Sequence, residues 1–371
     1  MNSPFRRPGP AVALMTMLVA LAIFIPSAFV HARRQAAPPN PAVEDALAGA
    51  SLHNPGFDNH KWYEFNDRYG TWLAKSWVPD DDTVGGPQDW RIWYLAGKDI
   101  IKTGVEDTLV QSVEAVWMRT YGSGALLGGL YQVVYDTTPC LTYEFTMYGQ
   151  ARPTEGDDSL STLQVGIDRA GWHPDTANDP AVHGSFPSTT VWGTSHKYEF
   201  SYGLLSVTAE AWADEITVYT YADATGGTSH AVLWDTGSFA DVTPDMIHDP
   251  DDLPSPGGIS NIGESNITSN SARITWTTAN DALGQVYYRL VPSGGTPPTY
   301  LNKIYLPLIS CDDCSAWQAT ALNKTPTTSH TADLTGLESG SDYEYIIVSR
   351  GLSGDQCETW RSATGSFITA P

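Results

Sequence analysis

Hydrophobic and polar positions alternate along the middle of the chain in short runs that turn residues interrupt. Successive side chains of a β-strand point to opposite faces of a sheet, so each run predicts a strand with one buried face. The runs are Val113–Arg119, Leu130–Tyr135, Leu141–Tyr148, Thr162–Ile167, Lys197–Tyr202, Leu205–Ala211, Glu215–Tyr221 and Ala231–Trp234. No stretch has a long helical period with caps, and about eight strands separated by turns predict a sandwich or jelly roll.

A second region of alternation runs from Leu334 to Val348 in the C-terminal third. Leu337, Gly340 and Tyr343 have the spacing of a tyrosine corner, in which a tyrosine opens a sandwich strand and bonds back to the backbone upstream. Tyr343, Tyr345 and Ile347 then alternate with Glu344, Ile346 and Val348, which predicts a mostly buried strand. This part of the chain is therefore predicted to form a second β-sandwich.

The N-terminus has the pattern of a secretory signal peptide over residues 1–32. Arg6 and Arg7 precede an apolar run from Ala11 to Val30, and Val30-His31-Ala32 fits a cleavage site. An uncleaved anchor is the alternative, because an apolar run of about 20 residues can span a bilayer. Both place the remainder outside the cytoplasm, extracellular or at the cell surface. Residues 33–50, rich in Ala and Pro, are predicted to form a flexible leader.

Net charge narrows the classes of partner. The chain of 371 residues carries 42 acidic and 20 basic residues, a formal net charge of −22. Nucleic-acid binding needs basic patches that neutralise phosphates, and anionic membrane surfaces also attract basic segments. The charge therefore disfavours nucleic acid and disfavours any membrane contact beyond the export signal.

The first sandwich, predicted over residues 51–240, resembles the jelly rolls of carbohydrate-binding modules such as families 4, 9 and 22. Asn54-Pro55-Gly56-Phe57-Asp58 resembles their Asn-x-Gly-Phe-Glu opening, and Trp234-Asp235 stands where they usually end in an aromatic residue and Asp. Further blocks that resemble them are Leu130–Val134, Gly166–Asp168, Leu205–Ala211 and Ile216–Tyr219. Cys140 departs from the pattern because it replaces an expected glycine.

The C-terminal segment, residues 259–371, resembles a fibronectin type III domain of the variety found on secreted bacterial proteins. The strands that carry the resemblance are Ser271–Thr278, Gln285–Arg289 and Thr328–Leu337, with Trp276 as the core tryptophan. An insertion at about residues 292–326 departs from the family pattern. Residues 241–258, rich in Asp and Pro, are predicted to form a semi-rigid linker between the two sandwiches.

Solvent-facing aromatic rings flanked by polar side chains are the residues that suit a sugar, because sugars present apolar C–H faces and hydroxyl rims. Trp172 lies in a turn-like segment, flanked by Asp168 and His173, and Trp90 and Trp93 form a second cluster. We take these five as candidate ligand-binding residues. The alternative is that the rings fill the core, since tryptophan is highly buried on average.

The resemblance also implies a structural Ca²⁺ near the first and last strands of the jelly roll. The matching positions are Asp58 and Asp235, and carboxylate oxygens are ligands that Ca²⁺ prefers. Two carboxylates do not complete a site, and backbone carbonyls would have to supply the other ligands.

Four cysteines, Cys140, Cys311, Cys314 and Cys357, are disulfide candidates in an exported chain, with three possible connectivities. We expect a staple that ties down the insertion, either Cys311 with Cys314 or one of these two with Cys357. Cys140 would then have no obvious partner within its own domain.

Motif searches of the sequence identify no reaction. The sequence has no Gly-x-Ser-x-Gly elbow, no His-Glu-x-x-His motif and no phosphate-binding loop. The prediction is a non-catalytic protein that binds a glycan or surface polymer through exposed aromatic rings of the jelly roll. The alternatives are a structural or adhesion protein that binds cell-surface proteins, and a divergent hydrolase with two carboxylates across a cleft.

Overall fold

The computed structural model describes most of both predicted sandwiches. The described residues are 50–52, 65–66, 72–73, 90–95, 101–106, 115–120, 126–153, 161–174, 181–182, 185–224, 230–244, 250–253, 257–291 and 317–371. The signal peptide, the leader up to residue 49, Asp58, Cys311 and Cys314 lie outside these residues.

Among the described residues, thirteen strands precede the linker. They are β1 (Phe65–Asn66), β2 (Trp72–Leu73), β3 (Arg91–Leu95), β4 (Ile101–Glu106), β5 (Ala115–Thr120), β6 (Leu126–Tyr135), β7 (Thr142–Pro153), β8 (Thr162–Asp168), β9 (Ala181–Val182), β10 (Thr190–Trp192), β11 (Gly203–Glu210), β12 (Glu215–Ala224) and β13 (His230–Asp241). β1 and β2 form a two-stranded sheet, and neither pairs with another of the described strands.

The remaining eleven strands form two sheets that pack face to face. The six-stranded sheet has the order β10-β8-β12-β6-β3-β9, and the five-stranded sheet has the order β11-β7-β13-β5-β4. Every pair is antiparallel except β3 with β9. One buried cluster takes Val165 and Ile216 from the first sheet and Phe145 and Val207 from the second, so the core lies between the sheets.

Strict alternation explains which residues reach that core. In β11, Leu205, Val207 and Ala209 are buried while the residues between them are exposed, as a strand with one covered face requires. The predicted strand Lys197–Tyr202 is wrong. Within that segment only Glu199 makes an isolated bridge, to Ala151, and Phe200 adopts a positive φ of 54°, which a regular strand does not allow.

The second sandwich follows the linker. Its strands are β14 (Ile259–Ser265), β15 (Ser271–Leu290), β16 (Gln318–Ala319), β17 (Asn323–Thr335), β18 (Asp342–Ser353), β19 (Gln356–Arg361) and β20 (Gly365–Ile368). The long β15 pairs with β14 and β17 along its first half and with β18 along its second half. Trp276 is buried in the core that results, as predicted.

The predicted tyrosine corner is confirmed. The amide of Glu338 donates to the hydroxyl oxygen of Tyr343 at 2.9 Å, and Gly340 has a φ of 65°. Glycine adopts this left-handed conformation without the steric cost that a Cβ atom brings.

A disulfide joins the two sandwiches. Cys140, before β7, is bonded to Cys357 in β19, with Cα atoms 5.5 Å apart. The expectation that Cys357 pairs with Cys311 or Cys314 is wrong, and Cys140 has a partner in the other domain. The error arose because sequence spacing does not show that β19 lies against the start of β7. A bond between Cys311 and Cys314 stays a prediction outside the described residues.

Side chains of the second sandwich extend the first sandwich's core. Leu283 belongs to that buried cluster, and Leu352 packs against it. Lys324 Nζ lies 2.6 Å from a carboxylate oxygen of Asp241 across the same boundary.

The linker is also packed where the structure describes it. Residues Pro250–Asp252 form a short 3-10 turn, and Leu253 packs against a buried patch of the second sandwich.

The described residues confirm the predicted fold class, an all-β chain of two successive β-sandwiches. No helix within the described ranges is long and apolar enough to cross a bilayer.

Candidate functional site

The outer face of the six-stranded sheet is aromatic, although it points away from the core. Strand register places Trp192 of β10, Gly166 of β8, Tyr219 of β12, Tyr131 of β6 and Arg91 of β3 in one row across the sheet. An outer sheet face is usually polar when it meets water. Three aromatic rings in one row therefore need an explanation beyond folding of the core.

These rings belong to one cluster, which we call the aromatic face. Its fully buried members are Trp93, Tyr131 and Tyr219, and its partly buried members include Trp172, Phe186, Trp192 and Tyr221. Phe186 lies at the centre, with its ring centroid 4.9 Å from that of Trp93, 5.0 Å from that of Trp192 and 5.1 Å from that of Tyr219. All three contacts are edge-to-face, the arrangement that the ring quadrupoles favour.

A connecting segment covers the centre of the aromatic face. We call the parts of it on either side of β9, residues 169–174 and 185–189, the strap. Asp168, at the end of β8, anchors both parts of it. One carboxylate oxygen accepts from the amides of Ala170 and Trp172 at 3.0 and 2.9 Å, and the other accepts from the hydroxyls of Thr189 and Thr190 at 2.7 and 2.8 Å. Asp168 is fully buried, and these four bonds compensate for the burial of its charge.

Hydroxyl groups of the sheet hold the strap from below. Thr217 donates to the carbonyl of Gly171 at 3.1 Å, and Tyr219 donates to the carbonyl of Trp172. Burial raises the pKa of Tyr219 well above its usual value, and the nearby charge of Asp168 raises it further. Tyr219 therefore stays a neutral phenol that can donate. The strap is fixed on the sheet by charge-assisted and neutral hydrogen bonds together.

Trp192 forms a platform at the edge of the aromatic face. Three atoms of its six-membered ring would lie 2.6, 2.8 and 3.0 Å from a Cβ atom at position 166, so the ring rests against the backbone of Gly166. Its centroid lies 5.7 Å from that of Tyr221, and both side chains are half-buried. Burial, with a smaller effect of Asp223, raises the pKa of Tyr221 to about 12. The platform requires glycine at position 166, because any side chain would lift the ring.

The predicted residues Trp172, Asp168 and His173 come together on or below the strap. Trp172 and His173 are half-buried, and the His173 ring stacks on Tyr131 with centroids 6.0 Å apart. Asp168 has a different role from the predicted one. Its carboxylate is buried under the strap, where it anchors the segment that carries Trp172 and is shielded from a ligand.

The prediction that Trp90 and Trp93 line an exposed surface is wrong. Trp90 is 2% exposed and belongs to the core between the sheets, and Trp93 is 0% exposed beneath Phe186. The Trp93 indole N–H donates to the carbonyls of Leu130 and Thr220 at 3.2 and 3.1 Å. Both residues are buried because Arg91–Leu95 is a sheet strand, β3, which the sequence analysis did not predict.

Sequence reasoning missed Trp192, Phe186, Tyr219 and Tyr221 as site residues. A usable signal was present in β12, where Ile216 and Val218 face the core and Tyr219 and Tyr221 face outward. Aromatic residues at the outward positions of a central strand indicate a covered or ligand-binding face. No comparable signal marked Phe186, which reaches the sheet from an irregular segment.

The predicted Ca²⁺ site is described only at Asp235. This side chain is fully buried, and one of its oxygens accepts from the hydroxyl of Thr236 at 2.9 Å. Over the part of the chain that the structure describes, no group of three or more His, Cys, Asp or Glu side chains is placed to hold a metal ion. Asp58 lies outside those residues, so the site stays a prediction.

No protein-family model matches the chain, and no curated protein matches it. Similar solved structures include the tandem CBM22-1–CBM22-2 domains of Paenibacillus barcinonensis Xyn10C, with 10% identity over 87% of this chain and 91% of that one, at a TM-score of 0.31.

Two others match parts of the chain. A Bacteroides thetaiotaomicron protein described as sugar-binding is 11% identical over 49% of this chain and 100% of its own, at a TM-score of 0.30. The third fibronectin III domain of human KIAA0343 is 18% identical over 34% of this chain and 91% of its own, at 0.19.

Proposed function

We propose that the first sandwich binds a carbohydrate without catalysis, at the aromatic face beside the strap. The observation that carries the proposal is the position of Trp192. Its ring lies against Gly166 at the edge of the sheet, half-buried, with Phe186 and Tyr221 beside it. A flat indole supported from below and partly open to solvent suits the C–H face of a pyranose ring.

Polar groups beside the platform supply the second half of such a site. Gln164 pairs with Tyr221 across β8 and β12, and both side chains are half-buried. An amide offers two donors and one acceptor oxygen, and a phenol offers one donor and an acceptor, which matches the hydroxyl rim of a sugar. On the strap, Nδ1 of His173 lies 3.2 Å from the carbonyl oxygen of Pro174, so only Nε2 of that ring would be offered to a sugar hydroxyl.

Charge narrows the class of sugar. The chain carries a net charge of −22, so a polyanionic glycan would be repelled at long range. We therefore expect a neutral saccharide. Extracellular location agrees with the disulfide, since such bonds persist in oxidising compartments.

An adhesion role with a protein partner is the second candidate, and one observation favours it. On the first sandwich, Phe200, shortly before β11, is 64% exposed, and Leu204, the second residue of β11, is 48% exposed. Exposed apolar side chains close together can mark a protein contact.

A neutral-glycan array with the wild-type chain and Trp192→Ala tests the proposal. Trp360→Ala is a matched control, because the Trp360 ring also lies over a glycine, Gly258, but in the second sandwich. We expect wild type and Trp360→Ala to bind the same sugars, and Trp192→Ala to lose at least about tenfold in affinity with its stacking contact.

The array has two outcomes that contradict the proposal. One is the absence of binding by folded wild type to any sugar. The other is equal affinity of the two tryptophan variants. If Phe200→Ser then abolishes capture of cell-surface protein by a chain that binds no sugar, the adhesion role replaces the carbohydrate role.

The Ca²⁺ proposal has a separate test. We expect calcium to raise the thermal midpoint of unfolding of the wild-type chain, because a ligand that binds only the folded state stabilises that state. The thermal midpoint of Asp235→Asn should be the same with and without calcium. An equal midpoint with calcium and with chelator would contradict it.

A further inference from the structure

The disulfide between the sandwiches is linked to the strap through the backbone of one short segment. Cys140 precedes β7, and its amide donates to the carbonyl of Ala211 at 2.8 Å. The amide of Ala211 donates back to the carbonyl of Leu141 at 2.9 Å. The short segment Glu210–Trp212, which joins β11 to the turn before β12, is therefore bonded directly to the disulfide-bearing corner.

The same segment holds the first residue of the strap. The amide of Trp212 donates to the carbonyl of Arg169 at 2.8 Å. The Arg169 guanidinium carbon lies 3.6 Å above the Trp212 ring, a cation–π contact, and its Nε donates to the carbonyl of Thr189 at 3.4 Å. Arg169 thus joins both parts of the strap to Trp212. Trp212 directly follows Ala211, whose carbonyl accepts from the amide of Cys140.

The carboxylate of Glu210 interacts with charged side chains from both sandwiches. Burial raises the pKa of Glu210, while the positive charges of Arg350 and Arg169 oppose that rise. Arg350 lies in β18, which pairs with the strand that carries Cys357. Glu210 therefore has one cation from the strap and one from the second sandwich in its surroundings, with the disulfide beside them.

We propose that the second sandwich is a positioning element for the strap, acting through the Cys140–Cys357 bond and through the stack of Arg169 on Trp212. The two sandwiches then form one binding unit, and breaking the disulfide loosens the strap that carries Trp172. Only the ligand readout given below rests on the proposed carbohydrate function.

Hydrogen exchange of the full chain tests the positioning directly, with no ligand present. The variants are Cys140→Ser/Cys357→Ser and Arg169→Ala, with Arg169→Lys as the conservative partner that keeps a cation at the site. The amides of Ala170 and Trp172 donate hydrogen bonds to the carboxylate of Asp168. We expect these two amides to exchange at least about tenfold faster in the double cysteine variant and in Arg169→Ala than in wild type. Arg169→Lys should restore part of the protection.

The tyrosine corner of the second sandwich provides the internal control. The Glu338 amide, bonded to Tyr343, should keep its wild-type exchange rate in every variant. If the double cysteine variant does not fold, Arg169→Ala against Arg169→Lys decides alone. Unchanged protection at Ala170 and Trp172 in a folded variant, or equal loss at Glu338, would overturn the proposal.

A ligand readout separates this proposal from the carbohydrate proposal. If wild type binds a sugar on the array, its dissociation constant should rise at least about tenfold in Arg169→Ala and less in Arg169→Lys. If wild type binds no sugar, the carbohydrate proposal fails, and the exchange rates alone decide whether the second sandwich positions the strap.

Discussion

A tyrosine near the start of β7 in the first sandwich and one near the start of β18 in the second make the same hydrogen bond to the backbone. The two turns that precede these tyrosines differ at one key residue. The Thr138 amide donates to the hydroxyl oxygen of Tyr143 at 2.9 Å, as the Glu338 amide does to Tyr343. The residue three positions before each tyrosine has a positive φ, 68° at Cys140 and 65° at Gly340. Both sandwiches therefore contain a tyrosine corner, and the first has cysteine where the second has glycine.

What surrounds each corner explains the difference. The amide of Gly340 donates to the carbonyl of Ala370, within its own sandwich, so glycine needs only to turn the chain. Cys140 has a Cβ atom in a left-handed conformation, which costs about 1–2 kcal/mol. The bond to Cys357 offsets that cost. A strained residue at a repeated motif thus marks the position where the first sandwich gained a covalent partner.

Removing the disulfide should have the largest effect on this comparison. The bonded residues are 217 positions apart, and in the chain-entropy account a loop of that length stabilises the folded state by up to about 5 kcal/mol. We expect Cys140→Ser/Cys357→Ser to lower the free energy of unfolding by several kcal/mol, measured by urea denaturation. A loss below about 1 kcal/mol would mean that the packed interface alone holds the sandwiches together.

Substitutions at the residue with positive φ should change the free energy of unfolding by about 1 kcal/mol. Introducing glycine at the first corner should stabilise the chain, and removing glycine from the second corner should destabilise it. In a Cys357→Ser background, Cys140→Gly should be more stable than Cys140→Ser by about 1 kcal/mol, because glycine avoids the Cβ clash. Gly340→Ala should lose a similar amount. Urea midpoints of the paired variants measure both, and equal stability of Cys140→Gly and Cys140→Ser would show that φ at Cys140 is not strained.

The tyrosine hydroxyls should give the smallest effect and the same one at both corners. Tyr143→Phe and Tyr343→Phe each remove the acceptor of one backbone amide, a loss of about 1 kcal/mol or slightly less. Exchange rates of the Thr138 and Glu338 amides provide the measurement. A rise at only one of them would mean that the two corners are not equivalent.

The second corner could be predicted from the sequence, and the first could not. Leu337, Gly340 and Tyr343 match a local pattern in which glycine announces the left-handed turn. At the first corner Cys140 hides that signal, since cysteine rarely adopts a positive φ. The positive φ of Cys140 is explained only by its bond to Cys357 in β19. No local sequence pattern encodes that contact.

The candidate site shows the same division. The neighbourhood of Trp172, Asp168 and His173 was predicted because a tryptophan in a turn lacks an obvious local partner. Burial of Trp93 depends on Phe186, which is distant in the sequence and reaches the sheet from an irregular segment. The roles of Asp168 as an anchor and Trp192 as a platform depend on strand register and close approach, which the hydrophobic pattern alone does not specify.

The affinity of Gly166→Ala for the sugar selected on the array tests the central claim most directly. This variant keeps every aromatic ring and adds one methyl group, which would lie 2.6 Å from the nearest atom of the Trp192 ring and must displace it. If Trp192 is the platform, the folded variant should bind at least about tenfold more weakly than wild type. Wild-type affinity in a folded Gly166→Ala chain would contradict the account.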